Sequence, residues 1–285
     1  MRGPLVVDDR VHELSSRLLG WFDGHSDVLV AFSGGADSAL VLAAAVRALG
    51  PGRVLAVTAV SDSLPAEEAE LAREFAEGLG VGHLRLPTRE MDVEGYRANA
   101  GDRCYFCKAT LLDTVAPVAR ERAAEVLTGT NADDHRAGFR PGLRAAREHG
   151  AREPLAECGL TKDEVREVSR AWGLRTWDKP AAACLSSRIA YGLRITPHRL
   201  HRVEQAERSV RRLLAAEGVQ TRDLRVRDLG TQVRVEVDGD VVPQVQAIPR
   251  LAETLQEAGF AEAVDVRAFV SGSMNAMLHD SARWR

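Results

Sequence analysis

Between the apolar run Val28-Leu29-Val30-Ala31-Phe32 and a helical run beginning near Leu40 stand six small residues, Ser33-Gly34-Gly35-Ala36-Asp37-Ser38. The first run is short, continuous and partly β-branched, as a strand buried on both faces of a parallel sheet requires. The second continues through Val46 to Leu49 and stops at Gly50-Pro51, the ending expected of a helix. A glycine-rich turn from strand into helix leaves backbone N–H groups at the positive end of the helix dipole, and glycine lets an anion approach closely. The stretch therefore predicts a phosphate loop. The lysine of the Walker A pattern is missing, and the spacing is not that of a dinucleotide fingerprint either. The plain alternative is an ordinary tight turn in which Asp37 or Ser38 caps the helix.

Strand and helix patterns alternate through the following 170 residues or so. Helical periodicity runs from Val11 to Phe22, "RVLAVTAV" (Arg53 to Val60) and "HLRLPT" (from His83) read as strands, and Pro65 opens a helix through Glu77. Tyr105 to Ala119 is helical, "EVLTGT" from Glu125 is a fourth strand, and Thr161 to Glu164 is a capping box opening a helix that stops at Gly173. This alternation predicts a doubly wound α/β parallel sheet with ligands at the carboxyl ends of its strands. Near Thr196 the rhythm changes to a long charged helix to about Ala216, two alternating strands ("LRVRDLG" and "TQVRVEVDGD"), a helix and a last strand around Val264 to Val270. The expected division is a first domain over 1–194 and a smaller α+β domain over 195–285, the latter serving substrate binding and oligomerisation in an expected homo-oligomer.

A chain of 285 residues has room for two cores, and a net charge of −3 gives no basic field to hold nucleic acid. No apolar run approaches the eighteen residues of a membrane span, and "MRGPLVVDDRVHELSS" has no signal-peptide core, so a cytoplasmic protein is expected. The four cysteines are Cys104 and Cys107 in C-x-x-C, Cys158 and Cys184. In such a chain they point to metal or catalysis rather than to a disulfide framework. Cys104 and Cys107 sit at a predicted helix start, where the dipole favours thiolate. A C-x-x-C pair alone is compatible with half a zinc site, a redox dithiol or two ligands of an iron-sulfur cluster. Zinc would need a fourth ligand, for which Cys158 is the spare cysteine; otherwise Cys158 is a structural thiol.

The loop "SGGADS" is the signature of the PP-loop ATP pyrophosphatases, the adenine nucleotide alpha hydrolase-like proteins. The stretches "RCYFCK", "TGTNADD", "FRPGLRAAREHGAREPL", "ACLSSRIAYG" and "GSMN" resemble one branch of them, the ATP-dependent sulfur transferases that help to make the nickel-pincer nucleotide cofactor of lactate racemase. The resemblance runs from about Ser33 to Asn275. It implies that ATP, with Mg²⁺, adenylates a carboxylate of pyridinium-3,5-biscarboxylic acid mononucleotide, and that sulfur then displaces AMP to give a thiocarboxylate. Ser33, Gly34, Gly35, Asp37 and Ser38 would cradle pyrophosphate, with Asp37 helping to hold Mg²⁺. Asn131 and Asp133, with Asp134, would complete the nucleotide site, against the alternative of an Asx turn. Some relatives carry only the counterpart of Cys184, which surrenders its sulfur and becomes dehydroalanine. Others, like this chain, carry all three of Cys104, Cys107 and Cys184 and hold a 4Fe-4S cluster whose open iron takes an extra sulfide from a donor. The cluster is the favoured expectation, since three thiolates and one vacancy fit it.

Ser186, Ser187 and Arg188 would bind a substrate phosphate. Arg225 and Arg227, two apart on a strand, would meet one anion, against the alternative of a solvated strand face. Arg194, Arg199 and His201 are assigned to solvent. In one departure, "AFVSGSMN" carries Val270 where the family has an arginine for a phosphate. A tRNA or nucleobase thiolase, an ammonia-using amidotransferase-type ligase and a nucleotide-binding regulator without turnover are the alternative functions. The ligase would leave the three cysteines unexplained.

Overall fold

The computed structural model describes residues 9–138, 140–180, 183–261 and 263–278. Residues 1–8, half of the stretch read for a signal peptide, lie outside them. In chain order the elements are α1 (Asp9–Gly20), β1 (Val28–Ala31), α2 (Ala36–Leu49), β2 (Val54–Val60), α3 (Ala66–Gly78), β3 (Gly82–Pro87), α4 (Glu94–Arg97), α5 (Arg103–Glu121), β4 (Glu125–Leu127) and α6 (Ala132–Arg136). Then follow α7 (Pro141–Glu148), α8 (Pro154–Glu157), α9 (Lys162–Ala171), α10 (Pro197–Ala216), β5 (Arg225–Asp228), β6 (Gln232–Val237), α11 (Val242–Gln246), α12 (Leu251–Glu257) and β7 (Ala263–Ala268).

Compactness divides the chain into two units. The first takes Met1–Val60, Ala66–Thr88 and Cys107–Ala182; the second takes Ser61–Pro65, Arg89–Phe106 and Ala183–Arg285. The boundary differs from the expected one at residue 194 because hydrogen bonds tie an early segment to a late one. Asn99, fully buried at φ 52°, donates from its side chain to the carbonyls of Ala190 (2.8 Å) and Leu193 (2.9 Å). The backbone of Arg97 accepts from Ile195 (2.8 Å), and that of Ser63 from Leu185 (2.9 Å). Asparagine is among the few non-glycine residues that enter the left-handed region readily, which suits this knot.

The first unit holds a four-stranded parallel sheet in the order β3-β2-β1-β4. Helices cover both faces, as the alternating pattern requires. On one face Val28 and Val30 pack with the alanine-rich stretch Ala39 to Ala45 of α2, with Leu14 and Leu18 of α1, and with Val165 and Val168 of α9. On the other, Leu29, Leu55 and Val57 meet Val115 and Ala119 of α5. Such full burial explains why β1 reads as a continuous apolar run. Order β3-β2-β1-β4 places the chain reversal beside β1, so the loops after β1 and β4 share one sheet end.

The second unit holds a three-stranded sheet, β5 antiparallel to β6 and β6 parallel to β7. Helix α10, capped by Thr196, buries Leu200, Val203, Ala206 and Val210. It packs against α12 and β5. Among the described residues no helix is long and apolar enough to cross a membrane.

Candidate active site

In the first unit the loop after β1 takes the form that the sequence predicts. Gly34 has φ 73°, and a side chain there would also press on Ala72 Cβ at 3.2 Å, so glycine is required twice over. Gly35 is the N-cap of α2, with no side-chain cap. Neither Asp37 nor Ser38 caps the helix start, contrary to the plain turn reading. Ser38 Oγ donates instead to the Gly35 carbonyl at 3.2 Å and stands 3.1 Å from Ser33 Oγ, which ties the loop into a ring. The strand end is fixed from below: Thr58 Oγ1 gives its one proton to the Phe32 carbonyl (2.7 Å), so His83 Nε2, 2.8 Å away, donates to Thr58.

The loop after β4 closes on this one. A Cβ on Gly129 would lie 2.6 Å from the Ser38 nitrogen, so only glycine lets the two backbones meet. Asn131 caps α6 by accepting from the Asp133 and Asp134 amides, with Asp134 completing a capping box. The turn reading is therefore correct, and the same side chain does more: its Nδ2 donates to Asp37 Oδ1 at 3.0 Å. Lys162 Nζ pairs with Asp37 Oδ2, while the Lys162 amide donates to Asp133 Oδ2 at 2.8 Å. Lys179 Nζ donates to the Gly34 carbonyl (3.0 Å) and pairs with Glu68 (2.6 Å). Ser33, Gly34, Gly35, Asp37, Ser38, Asn131 and Asp133 thus form one constellation, and sequence reasoning missed its two lysines. A signal was present: the chain has three lysines, and two of them are these.

Helix α5 begins in the second unit with Arg103 and Cys104 and continues at Cys107 in the first. Cys104 and Cys107 lie three apart, hence on one face of the helix. Cys104 and Cys184 share an environment within the second unit: both act electrostatically on Arg103 and on Tyr191. Burial pushes the Tyr191 hydroxyl above its ordinary range and Arg103 opposes this. That hydroxyl donates to Asn275 Oδ1 at 3.1 Å, which brings the "GSMN" stretch to the same place. Cys184 caps a 3-10 turn, Leu185–Arg188. Its carbonyl accepts from Ser187 Oγ (2.7 Å) and from Arg188 Nη1 (3.0 Å). Arg188 also grips Glu207 through Nε at 2.8 Å.

Among the described residues no group of three or more His, Cys, Asp or Glu side chains is placed to hold a metal ion. Cys158 packs against the first unit's core, its thiol donating to the Arg17 carbonyl (3.7 Å) and raised by burial above the ordinary thiol range. It is the structural thiol expected.

The solvated-face alternative for Arg225 and Arg227 does not hold, since they are only 7% and 5% exposed. Arg227 donates through Nε and Nη2 to Glu236 (2.9 and 2.7 Å) and through Nη1 to the Ser187 carbonyl (3.0 Å). Arg225 lies over Phe269, and burial, then Arg188, lowers its guanidinium from the usual value. Ser186 is fully buried against Tyr96 (2.6 Å), so it faces no ligand. Arg199, assigned to solvent, instead pairs with the buried carboxylate of Asp228, as Arg202 does. Val270 is 59% exposed.

Residues 21–126 match the family model for NAD synthase. The chain is 42% identical over 273 residues to an uncharacterized protein of Synechocystis sp., covering 93% of this chain and 99% of that one. It is 34% identical over 254 residues to the pyridinium-3,5-bisthiocarboxylic acid mononucleotide synthase of Lactiplantibacillus plantarum, covering 88% and 90%. An uncharacterized protein of Methanocaldococcus jannaschii is 23% identical over 61% of this chain and 66% of its own length.

Proposed function

The chain belongs to the PP-loop ATP pyrophosphatases, in the family of the pyridinium-3,5-bisthiocarboxylic acid mononucleotide synthase, and on that premise we propose that it is an ATP-dependent sulfurtransferase acting on a pyridinium biscarboxylate mononucleotide. A carboxylate is a poor electrophile because its oxygen leaves badly. Attack of that oxygen on the α-phosphorus of ATP forms the acyl-adenylate and breaks the bond to pyrophosphate. The amides from Gly34 to Ser38 receive the departing charge, with Lys162 and Lys179 as fixed cations beside them. Bound Mg²⁺ would neutralise phosphate charge, and Asp37 is the residue to hold it; one carboxylate suffices, because phosphates and water supply the other ligands.

Cys184 is common to both sulfur sources. As donor itself, its Sγ bonds to the acyl carbon and AMP leaves. Loss of the Cα proton with cleavage of Cβ–Sγ then releases the thiocarboxylate and leaves dehydroalanine. As a ligand with Cys104 and Cys107, it would help to hold a 4Fe-4S cluster. Three thiolates suit a cluster chemically, although among the described residues no group of three or more His, Cys, Asp or Glu side chains is placed to hold a metal ion. Arg188, Arg225 and Arg227, paired with Glu207, Asp223 and Glu236, are the arginines offered to the nucleotide's phosphate, which would enter by exchanging with these carboxylates.

The observation that carries the reading is Asp37, standing between Asn131 and Lys162 at an uncapped helix start. Asp37→Ala should lower pyrophosphate release at least about 100-fold, while costing no more than about 1 kcal/mol in denaturant unfolding, because it removes a partly exposed ion pair rather than core packing. Unchanged pyrophosphate release would remove the loop from the reaction.

A further inference from the structure

Arg103 opens α5 immediately before Cys104 and is only 4% exposed. A guanidinium so buried needs a compensating anion or a full set of acceptors. Its hydrogen bonds all fall on Nη1, to Asn99 Oδ1 and to the Ser186 carbonyl (2.9 Å). Among the described residues no carboxylate pairs with it, and Nε and Nη2 meet no acceptor. Neither atom belongs to the buried polar atoms sealed off without a partner, so this edge is open.

The groups that act electrostatically on Arg103 are two thiols and two phenols. Burial lowers the Arg103 guanidinium, but Cys184, then Cys104, Tyr191 and Tyr96, outweigh this and hold it above its ordinary value. The guanidinium carbon stands 5.5 Å from the Tyr191 ring centre. A guanidinium presenting Nε and Nη2 together is the planar fork that takes both oxygens of a carboxylate.

We infer that the open Nε–Nη2 edge of Arg103 is a carboxylate clamp for a ring carboxylate of the acceptor. This rests on the reading of the acceptor as a pyridinium biscarboxylate nucleotide. Such an acceptor carries a ring carboxylate that the fork can take. A mononucleotide with a neutral amide in that position would leave the buried cation unanswered. The chain thus selects for a charged ring substituent, independently of the groups that recognise the phosphate.

The test is calorimetric titration of the full-length protein with nicotinic acid mononucleotide and with nicotinamide mononucleotide. They share the phosphate and the ring and differ in carboxylate against amide. Wild type should prefer the carboxylate form on the order of 10- to 100-fold, the worth of hydrogen bonds to a charged group. Arg103→Gln should erase the preference to within about twofold while keeping the affinity for the amide form. Arg103→Lys, which keeps the charge but loses the fork, should cut the preference several-fold, and it carries the same test if the glutamine variant does not fold. A preference undiminished in either variant, or an equal loss of both ligands, overturns the clamp and leaves the acceptor reading standing. Wild type that binds neither mononucleotide overturns both.

Discussion

Gly129 shows how little room the phosphate loop leaves. Its missing side chain is replaced by the backbone of Ser38, so the loop after β4 can be moved away only by breaking the contact that aligns Asn131 with Asp37. Gly129→Ala should lower pyrophosphate release about 100-fold or more and cost roughly 1–3 kcal/mol, the usual penalty of overpacking, read by activity and by urea unfolding. Gly52→Ala is the control: nothing lies within 4 Å of its added carbon, and it should stay within about 0.5 kcal/mol with full activity. At this scale the sequence displayed the glycines of "SGGADS", because their φ angle and open helix start are local properties. It did not display Gly129 as a contact residue, since the atom that excludes a side chain is ninety positions away.

The helix starts were largely legible, and they allow stability to be separated from function. Thr161 accepts from the Glu164 amide while Glu164 answers the Thr161 amide, the predicted capping box of α9. Thr196 accepts from the Arg199 amide at the start of α10 (3.2 Å). Thr161→Ala and Thr196→Ala should each cost about 1 kcal/mol in urea unfolding. The first should also raise the KM for ATP, because it loosens the turn that delivers Lys162 to Asp37; the second should leave ATP kinetics unchanged. Equal ATP kinetics in the two variants would separate Lys162 from the nucleotide site. Helices α4, α7 and α8 escaped the sequence reading. They are four to eight residues long, too short for a 3.6-residue period to declare itself, and packing rather than propensity holds them. Strand β5 was legible as a strand but not as a buried one: its Arg-Val-Arg-Asp composition suggests solvent, whereas Glu236, Arg199 and Arg202 supply the countercharges that let it sit inside.

For the molecule as a whole the open choice is whether the polypeptide is consumed. If Cys104, Cys107 and Cys184 ligate one cluster, each single Ala variant, reconstituted without oxygen, should lose iron and activity together, and wild type supplied with sulfide should turn over many times. If Cys184 alone gives its sulfur, Cys104→Ala and Cys107→Ala should still complete one turnover. Intact mass should then fall by about 34 Da, the hydrogen sulfide lost as a thiol becomes dehydroalanine. Iron content and intact mass spectrometry together decide between them. By itself the sequence determined the alternating α/β order, the phosphate loop, the helix caps and the identity of the thiols, because each is written in a short window where period, turn chemistry or spacing acts locally. Only the tertiary structure decided that the segment around Asn99 belongs with the chain after Ala183, that Lys162 and Lys179 stand at the loop, and that Arg103 lies buried with one edge open. Those facts rest on hydrogen bonds and burial between residues some eighty to one hundred and fifty positions apart, and no local window contains both partners.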